Sequence, residues 1–320
     1  MDLKNHQSIK PFSQLHLLGL SGYTKDEIFQ ILSVGLDLKE KQKKGISHKL
    51  LKGKVLAMIF AKSSTRTRVS FQSGIYHLGG MGQFLSANDI QLGRGETIED
   101  TAKTISGMVD GIMIRTFKQS DVDMLAMCGS VPVINGLTDL LHPCQALADI
   151  LTFYEKVGSF EGKKMCYIGD GNNVAHSLMI ACTKIGLDIS LGCPETCMPS
   201  PKIIAIASQE AAKSGSSISI YDDPKVAAKG ADAVYTDVWA SMGEEDEAED
   251  KNKKLAAFQV NEDLMAVANP SAIFLHCLPA HRGEEVTTEV IDGEKSVVFE
   301  QAENRLHVQK AVMALLMGDE

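Results

Sequence analysis

A run of hydroxyl and guanidinium side chains follows the first strongly apolar segment of the chain. It reads Ser-Thr-Arg-Thr-Arg from Ser64 to Arg68, between an apolar strand pattern at 54–61 and a helical pattern at 69–78. A hydroxyl at the start of a helix ordinarily caps free N–H groups, which accounts for Ser64 alone. Two further hydroxyls and two arginines at the carboxyl end of a strand also present the helix dipole and guanidinium forks to an anion. The run therefore predicts a phosphate-binding site.

A second candidate site surrounds His142, which opens a helical segment that reads His-Pro-Cys-Gln. Proline favours the first turn of a helix, and His142 and Gln145, three residues apart, share one helix face. A lone histidine is more often a structural hydrogen-bonding residue, but this pair offers a donor and an acceptor to a neutral carbonyl or amide. Arg115 ends the strand pattern at 111–115, where it serves either a ligand or a salt bridge.

Two motifs in the second half of the chain also follow strand patterns. The first runs from Asp237 to Gly243 and reads Asp-Val-Trp-Ala-Ser-Met-Gly, and the second runs from His276 to Pro279 and reads His-Cys-Leu-Pro. Each fits a simple turn. Because the loops at the carboxyl ends of a doubly wound sheet converge on one crevice, we expect the two motifs to lie together.

A glycine-containing turn at 169–174 resembles the start of a dinucleotide-binding loop. It reads Gly-Asp-Gly-Asn-Asn-Val, so Val174 stands where the fingerprint has its third glycine. A tight strand-to-helix turn with Asn173 as the helix cap explains the same residues equally well. The chain has no P-loop signature, which argues against nucleotide hydrolysis.

The elements that must position these motifs alternate between apolar runs rich in Val and Ile and amphipathic stretches, as in βα units. The fold class is therefore α/β, with two doubly wound parallel-sheet domains. Strands are predicted at 54–60, 82–86, 111–115 and 131–135, and then at 165–168, 188–192, 217–221, 233–237, 272–276 and 296–299. Helices include 97–109, 139–158 and 303–317.

The best domain boundary lies after the helical segment that ends near 158, where a new strand begins. We expect a first domain at 1–150, which the C-terminal helix 303–320 joins by packing back on it, and a second domain at 151–302. Interdomain helices connect the two. The segment 241–254 has a charge run without apolar periodicity and is predicted to be a solvated, mobile loop.

Composition narrows the class of protein. A net charge of −9 argues against nucleic acid as a partner, because such binding uses basic patches. No apolar run approaches the roughly 18 residues that cross a bilayer, and the N-terminus resembles neither a signal nor a transit peptide. The seven cysteines include no Cys-x-x-Cys pair and are expected to be reduced thiols, with no zinc site. A soluble, cytoplasmic protein is expected.

Together, the motifs at 64–68, 142–145, 237–243 and 276–279 resemble those of the ornithine carbamoyltransferases, in the same order and across essentially the whole chain. The first two motifs occur throughout the aspartate/ornithine carbamoyltransferase family, whereas the last two point to its ornithine branch. The resemblance implies a carbamoyl-phosphate domain followed by an ornithine domain. It also implies transfer of the carbamoyl group of carbamoyl phosphate to the side-chain amine of L-ornithine, giving L-citrulline and phosphate, without a metal or organic cofactor.

The resemblance also carries roles for individual residues. Those implied to bind carbamoyl phosphate are Ser64, Thr65, Arg66, Thr67, Gln91, Arg115, His142, Gln145 and Arg305. Those implied to bind ornithine are Asn173, Asp237, Ser241, Met242, Cys277 and Leu278. The catalytic residues implied are Arg115, His142, Cys277 and Arg305.

Two places in the chain depart from the family pattern, and a further residue, Gln91, bears on assembly. Ala61 stands where many members have a glutamate, and the acidic stretch 244–250 varies within the family, so no role is carried over to it. Gln91 aligns loosely with a residue that members donate to a neighbouring subunit's site. A homotrimer, or a higher oligomer of trimers, is therefore expected.

The chemistry of the amine that accepts the carbamoyl group leads to one further hypothesis. An alkyl amine has a pKa near ~10.4, so ornithine must lose a proton before its amine attacks. We expect Cys277 beside the side-chain amine and Asp237 beside the α-amine to favour the neutral form. The alternative is that Cys277 is a buried thiol that only packs.

Other readings of the same motifs remain open. Within the family, putrescine or an acylated ornithine is an alternative acceptor. Outside it, a nicotinamide dehydrogenase would use the turn at 169–174, and a phosphate-sensing protein would need the first motif alone. Arginine synthesis and arginine breakdown share one active site, so the motifs fit both.

Overall fold

The structure is a computed structural model that describes residues 3, 12–91, 95–240 and 248–318. It divides into two compact units: unit 1 holds the described residues up to Ala148 and from Arg305 onward, and unit 2 holds Asp149–Asn304. Each unit has its own buried apolar core. None of the helices in the described ranges combines the length and apolar character that a membrane crossing requires.

Unit 1 contains a sheet of four parallel strands. In chain order they are β1 (Val55–Phe60), β2 (Met81–Ser86), β3 (Gly111–Arg115) and β4 (Val133–Leu137). The helices are α1 (Lys25–Lys43), α2 (Thr65–His77), α3 (Ile98–Ser106), α4 (Gln119–Cys128) and the start of α5 (Pro143–Val157). The sheet order is β2-β1-β3-β4, so the winding reverses between β1 and β3. Ligands bind at such a switch point in open α/β sheets.

Unit 2 contains a sheet of five parallel strands in the order β7-β6-β5-β8-β9. They are β5 (Lys164–Ile168), β6 (Asp188–Gly192), β7 (Ile218–Tyr221), β8 (Ala233–Thr236) and β9 (Ile273–His276). The helices are α6 (Asn173–Ile185), α7 (Pro201–Ser214), α8 (Pro224–Ala228), α9 (Ala248–Leu255), α10 (Glu262–Val267), α11 (Thr288–Ile291) and the start of α12 (Val298–Met317). The predicted class of two doubly wound parallel-sheet α/β units is confirmed.

The predicted strand at 296–299 is wrong. Ser296 forms one isolated bridge with Phe274, and α12 already begins at Val298, earlier than the predicted start at 303. The local Val-Val pattern suits a strand, but Val297 and Val298 are buried where the helix begins. The intrinsic preferences of these residues for helix or strand are weak compared with the effect of burying them in this way.

The predicted loop at 241–254 is also partly wrong. Residues 248–255 form α9, whereas 241–247 lie outside the described residues. Ion pairs take the place of the missing apolar periodicity, since Lys251 bonds Asp170 at 2.9 Å and Lys253 bonds Glu249 at 2.7 Å, one helical turn away. Leu255, at the end of the helix, is fully buried.

Two motif-bearing helices begin at different residues than predicted. Helix α2 starts at Thr65 rather than 69, so most of the Ser-Thr-Arg-Thr-Arg run forms its first turn. Helix α5 starts at Pro143, as the His-Pro-Cys-Gln motif predicts, and not at 139 as the longer helical pattern predicts, because β4 runs on to Leu137. The cap at Ser64 sets the start of α2, and proline at the first helical position marks the start of α5.

The C-terminal part of α12 packs against α2 in unit 1. The contact is close at Gly74, where an added Cβ would lie 2.9 Å from Met313 Cε and 3.3 Å from Lys310 Cγ. A larger residue at Gly74 would require the end of the Met313 side chain to move. This approach places the arginine at the start of the same helical stretch, Arg305, beside the first turn of α2.

Lys310 is a fully buried lysine on this stretch of α12. Its ammonium donates to Leu38 O at 3.2 Å and Gln42 Oε1 at 2.7 Å, and lies 3.3 Å from His48 Nε2. Burial lowers the pKa of Lys310 to about 8, and its charge helps to lower the pKa of His77. The neutral acceptors orient the ammonium without fully replacing its hydration.

Replacing Lys310 with methionine should change how stability depends on pH. Between about pH 8 and the unfolded lysine value of ~10.4, the unfolded chain binds more protons than the folded one. This lysine therefore adds stability to the wild type as the pH rises through that window. Relative to Lys310→Met, the wild-type melting temperature should rise from pH 7.5 to about pH 10. Parallel curves would contradict the assignment, and Lys213→Met, at an exposed site, controls for lost charge.

Candidate active site

The first turn of α2 is shaped by Ser64. Ser64 has extended backbone angles, and its Oγ accepts a hydrogen bond from Thr67 N at 3.2 Å, as expected of a helix cap. The same hydroxyl donates to Thr67 Oγ1 at 3.1 Å. Thr65 is exposed, Arg66 is partly buried and Thr67 is buried. The polar groups of this turn, at the carboxyl end of β1, therefore lie at different depths below the surface.

Arg305 ties the two motifs of unit 1 together. Its Nη1 donates to Gln145 Oε1 at 2.6 Å, and its Nη2 donates to Thr67 Oγ1 at 3.2 Å. All three side chains are buried. Thr67 Oγ1 thus accepts from both Arg305 and Ser64, which directs the threonine's own hydroxyl hydrogen toward another acceptor. The structure brings these four predicted site residues into one network.

Arg115 stands at an irregularity in the sheet. The register between β3 and β4 shifts between Ile114 and Arg115, opposite Gly136. A Cβ on Gly136 would lie 2.7 Å from Met113 Sδ and 3.1 Å from Ile114 O, so the strands approach closely at the bulge. Bulges of this kind redirect a side chain and are frequent beside active sites. Arg115 is 4% exposed, and its carbonyl accepts from Ala61 N at 2.8 Å, which joins the ends of β1 and β3.

His142 is a buried imidazole among cations. Burial and the nearby guanidinium groups of Arg305, Arg115 and Arg66 lower the pKa of His142 well below its ordinary value. We call these three residues the arginine cluster. The imidazole is therefore neutral near pH 7 and acts as a hydrogen-bond donor or acceptor rather than as a fourth cation. The cluster concentrates positive charge beside the first turn of α2, where an anion is favoured.

Gln91 and Arg68 are set apart from this network. Gln91 is exposed and follows the end of β2. The second arginine of the motif, Arg68, lies over the ring of Phe84 with its guanidinium carbon 3.7 Å from the ring centroid. Arg66 and Arg68 therefore differ in environment although they occupy equivalent places in the sequence pattern.

A second polar cluster forms in unit 2 around Asp237, which is 6% exposed directly after β8. Its Oδ1 accepts from Cys277 Sγ at 2.8 Å and from Val238 N at 2.8 Å, and its Oδ2 accepts from Asn172 Nδ2 at 2.9 Å. The expectation that the two second-half motifs lie together is met by the direct bond between Asp237 and Cys277. Asn172 was missed by the sequence analysis.

The environment of Cys277 keeps it a thiol. Burial, the negative charge of Asp237 and the hydrogen bond to that carboxylate raise the pKa of Cys277 well above its ordinary value. The proton on sulfur is the one donated to Asp237. Cys277 and Asp237 therefore behave as one hydrogen-bonded unit.

The turn after β9 is held by His276. The backbone N–H of Leu278 donates to His276 Nδ1 at 2.8 Å, so His276 Nε2 carries the proton and donates to Glu285 Oε1 at 3.1 Å. Leu278 has φ 58°, a left-handed conformation that is rare for a bulky side chain. The buried pair of His276 and Glu285 fixes this turn and with it the position of Cys277.

The glycine-containing turn after β5 does not have the form of a dinucleotide loop. A Cβ on Gly171 would lie 2.3 Å from Pro199 N, and Gly171 N donates to Cys197 O at 2.8 Å. The protein's own backbone thus occupies the approach that a pyrophosphate would need. The predicted cap at Asn173 is wrong: Asn172 Oδ1 accepts from Val174 N and Ala175 N, and Asn173 is the first residue of α6.

The misassignment has a simple origin in the sequence. Two asparagines stand side by side where α6 begins, and the one that caps the helix, Asn172, is also the one that reaches Asp237. The position of Asn173 in the first turn of α6 leaves it at the same end of the sheet. Ser241 and Met242 lie outside the described residues.

These features define a class of α/β protein. One parallel-sheet unit has a positively charged, anion-binding type of site at a helix N-terminus, and the other has a buried carboxylate–thiol pair. Models of the aspartate/ornithine carbamoyltransferase family match both units, the carbamoyl-P binding domain at 15–155 and the Asp/Orn binding domain at 161–316. The chain belongs to this family.

Individual relatives agree with the family models. The chain is 58% identical over 302 residues to an ornithine carbamoyltransferase of Thermococcus kodakarensis, covering 94% of this chain and 96% of the relative. It is 57% identical to an anabolic ornithine carbamoyltransferase of Pyrococcus furiosus, covering 94% and 96%. The solved structure of ornithine carbamoyltransferase from Pyrococcus furiosus superposes with a TM-score of 0.93 at 56% identity, covering 96% of this chain and 98% of that one.

The electrostatics of His142 give a direct test of the arginine cluster. In Arg66→Met, loss of one nearby cation should raise the pKa of His142 toward its ordinary value, although burial keeps it low. In the matched variant Arg68→Met the pKa should stay where it is, because Arg68 lies against Phe84. Histidine-selective NMR titration measures both. An equal rise in the two variants would refute the distinction.

Proposed function

We propose that this protein transfers the carbamoyl group of carbamoyl phosphate to the side-chain amine of L-ornithine, giving L-citrulline and phosphate. The observation that carries the proposal is the arginine cluster around neutral His142 at the N-terminus of α2. Family membership and relatives named as ornithine carbamoyltransferases support the same reaction. The match to an anabolic relative favours a role in arginine biosynthesis over catabolism.

We propose that unit 1 is the carbamoyl-phosphate domain. The residues that hold the phosphate are Ser64, Thr65, Arg66 and Thr67, and those around the carbamoyl group are Arg115, His142, Gln145 and Arg305. Negative charge develops first on the carbamoyl oxygen and then on the departing phosphate, and fixed donors are most effective where charge appears. The hydroxyl hydrogen of Thr67, which Arg305 and Ser64 leave available, is one such donor.

We propose that unit 2 is the ornithine domain. Asp237, with Asn173, Ser241 and Met242, is assigned to the amino-acid end, and Cys277 and Leu278 are assigned to the side-chain amine. A thiolate beside that amine would stabilise its ammonium form, which cannot attack. The raised pKa of Cys277 keeps the sulfur neutral, so the thiol does not oppose loss of the amine proton.

Assembly and location are also proposals. The family resemblance supports a homotrimer in which Gln91, exposed beyond β2, serves a neighbouring copy. The seven cysteines are all free thiols, which suits the reducing cytoplasm. Sedimentation equilibrium of the purified protein measures the oligomer, and a monomer at working concentration would contradict the trimer.

The reaction is tested by colorimetric citrulline formation from carbamoyl phosphate, with ornithine, putrescine, aspartate and acetylornithine compared as acceptors. Ornithine should react fastest, because Asp237 offers a carboxylate to a free α-amine that putrescine lacks and acetylornithine has blocked. Arg66→Met should lower turnover by about 10²–10³, the cost of losing one charge-stabilising donor. Faster reaction with another acceptor would replace ornithine in the proposal, and tight binding of NAD would support the dehydrogenase alternative.

The pair of Cys277 and Asp237 predicts a pH effect. In Cys277→Ala, Asp237 Oδ1 loses its thiol donor and its charge is less compensated on the side assigned to the side-chain amine, so the ammonium form of that amine is stabilised and its pKa rises. The acidic limb of the kcat/KM profile should move to higher pH and turnover should fall, whereas Cys277→Ser keeps a donor and a profile close to wild type. Cys128→Ala, a thiol in α4 outside the site, is the control. An unmoved profile in Cys277→Ala would leave that thiol with a packing role alone.

A further inference from the structure

A nearly buried ion pair joins α9 to the turn after β5 in unit 2. Lys251 Nζ lies 2.9 Å from Asp170 Oδ2, and the two side chains are 16% and 14% exposed. A second ion pair of α9, between Lys253 and Glu249, has side chains that are 68% and 87% exposed. Water and salt screen the charges of an exposed pair much more than those of a buried one. The charges of Lys251 and Asp170 therefore act strongly on their surroundings.

The turn that carries Asp170 also carries Asn172, the residue that bonds Asp237. Tyr167 Oη donates to Asp170 O at 2.9 Å and lies 3.3 Å from Asn172 Oδ1, so one hydroxyl contacts both ends of the turn. Asn172 Nδ2 donates to Asp237 Oδ2 at 2.9 Å. Burial raises the pKa of Tyr167, and the negative charges of Asp237 and Asp170 raise it further. Both carboxylates therefore act on the same small region of unit 2.

The two carboxylates are compensated in different ways. Asp237 accepts hydrogen bonds from neutral donors, including Asn172 and Cys277, so its negative charge is not cancelled. Asp170 is paired with a cation, Lys251, and the pair adds no net charge to the region. Either member of the pair alone would add one full charge there. Lys251 therefore determines how negative this region is.

The candidate acceptors differ in charge at the end away from the reacting amine. In putrescine that end is an ammonium with a single positive charge, and in ornithine it is a zwitterion with no net charge. In acetylornithine the α-amine is blocked, so the free carboxylate leaves a single negative charge. An added negative charge nearby favours putrescine over ornithine and ornithine over acetylornithine, and an added positive charge reverses that order.

We propose that Lys251 is a specificity-determining residue, which selects an acceptor with a zwitterionic end by neutralising Asp170 beside the amino-acid site. With Asp170 neutralised, the region presents the charge of Asp237 to the α-amine without a second carboxylate that would repel the acceptor's own. Lys251 acts through Asp170 and needs no contact with the acceptor. This role rests on the proposed assignment of ornithine to unit 2.

The opposite charges of the two partners separate this role from simple docking of α9. Lys251→Met leaves the Asp170 carboxylate without this cation, whereas Asp170→Asn leaves the Lys251 ammonium without this anion. If charge sets the selectivity, the two variants shift it in opposite directions. If the pair only holds α9 in place, both variants weaken binding of the same ligands. The double variant has neither charge, so its selectivity should return toward that of wild type.

The test is calorimetric binding of ornithine, putrescine and acetylornithine in the presence of inorganic phosphate, together with the KM for ornithine. In Lys251→Met we expect the ratio of ornithine affinity to putrescine affinity to fall about tenfold, and in Asp170→Asn to rise by a similar factor. Acetylornithine affinity should change in the direction opposite to that of putrescine. Lys251→Arg keeps the cation and should keep the selectivity of wild type.

The matched control is Lys253→Met, which removes an exposed lysine from the same helix and should leave all three affinities unchanged. Shifts in the same direction in Lys251→Met and Asp170→Asn, or no shift in either, would overturn the role of Lys251. If one of these variants fails to fold, the direction of the shift in the other, compared with the double variant, decides. Ornithine binding with the expected shifts, but without citrulline formation by wild type, would refute the proposed reaction alone.

Discussion

The structure of unit 1 depends on positive charge gathered around one buried neutral imidazole. Like charges repel strongly where water is scarce, so the arginine cluster needs hydrogen-bond acceptors that hold it without cancelling it. Gln145 and Thr67 do this for Arg305, since both are neutral and buried. The lowered pKa of His142 prevents a further cation. A dianion beside these guanidinium groups would relieve the remaining repulsion, which supports the proposed phosphate site.

The parallel sheet explains why so much of this site was predictable from the sequence. Carboxyl ends of parallel strands lie on one edge, so polar residues that directly follow apolar runs must be neighbours. Strands β3 and β6 were predicted with their observed bounds, and the residues that follow β1, β8 and β9 carry the motifs. Family resemblance then supplied roles that spacing alone leaves open.

The sequence does not show which distant residues contact each other. It also does not show which of two similar neighbouring residues has a given role. Asp170 and Lys251 form an ion pair although they are 81 residues apart, and no local sequence pattern links them. Arg66 and Arg68 look alike in the motif, yet only packing against Phe84 separates them. Asn172 and Asn173 are the same residue type, and the cap is decided by backbone angles. Each of these depends on tertiary packing, which overrides local preference.

The two units bury charged groups of opposite sign. Unit 1 keeps a surplus of positive charge for a leaving phosphate, whereas unit 2 must bury a carboxylate without trapping a cation there permanently. Asp237 accepts hydrogen bonds from Asn172, Cys277 and Val238, and these donors stabilise its charge before any substrate arrives. A carboxylate compensated in this way attracts an ammonium less strongly than a bare one would. The same three bonds that allow Asp237 to be buried therefore also weaken its attraction for the side-chain ammonium that must lose a proton in the proposed reaction.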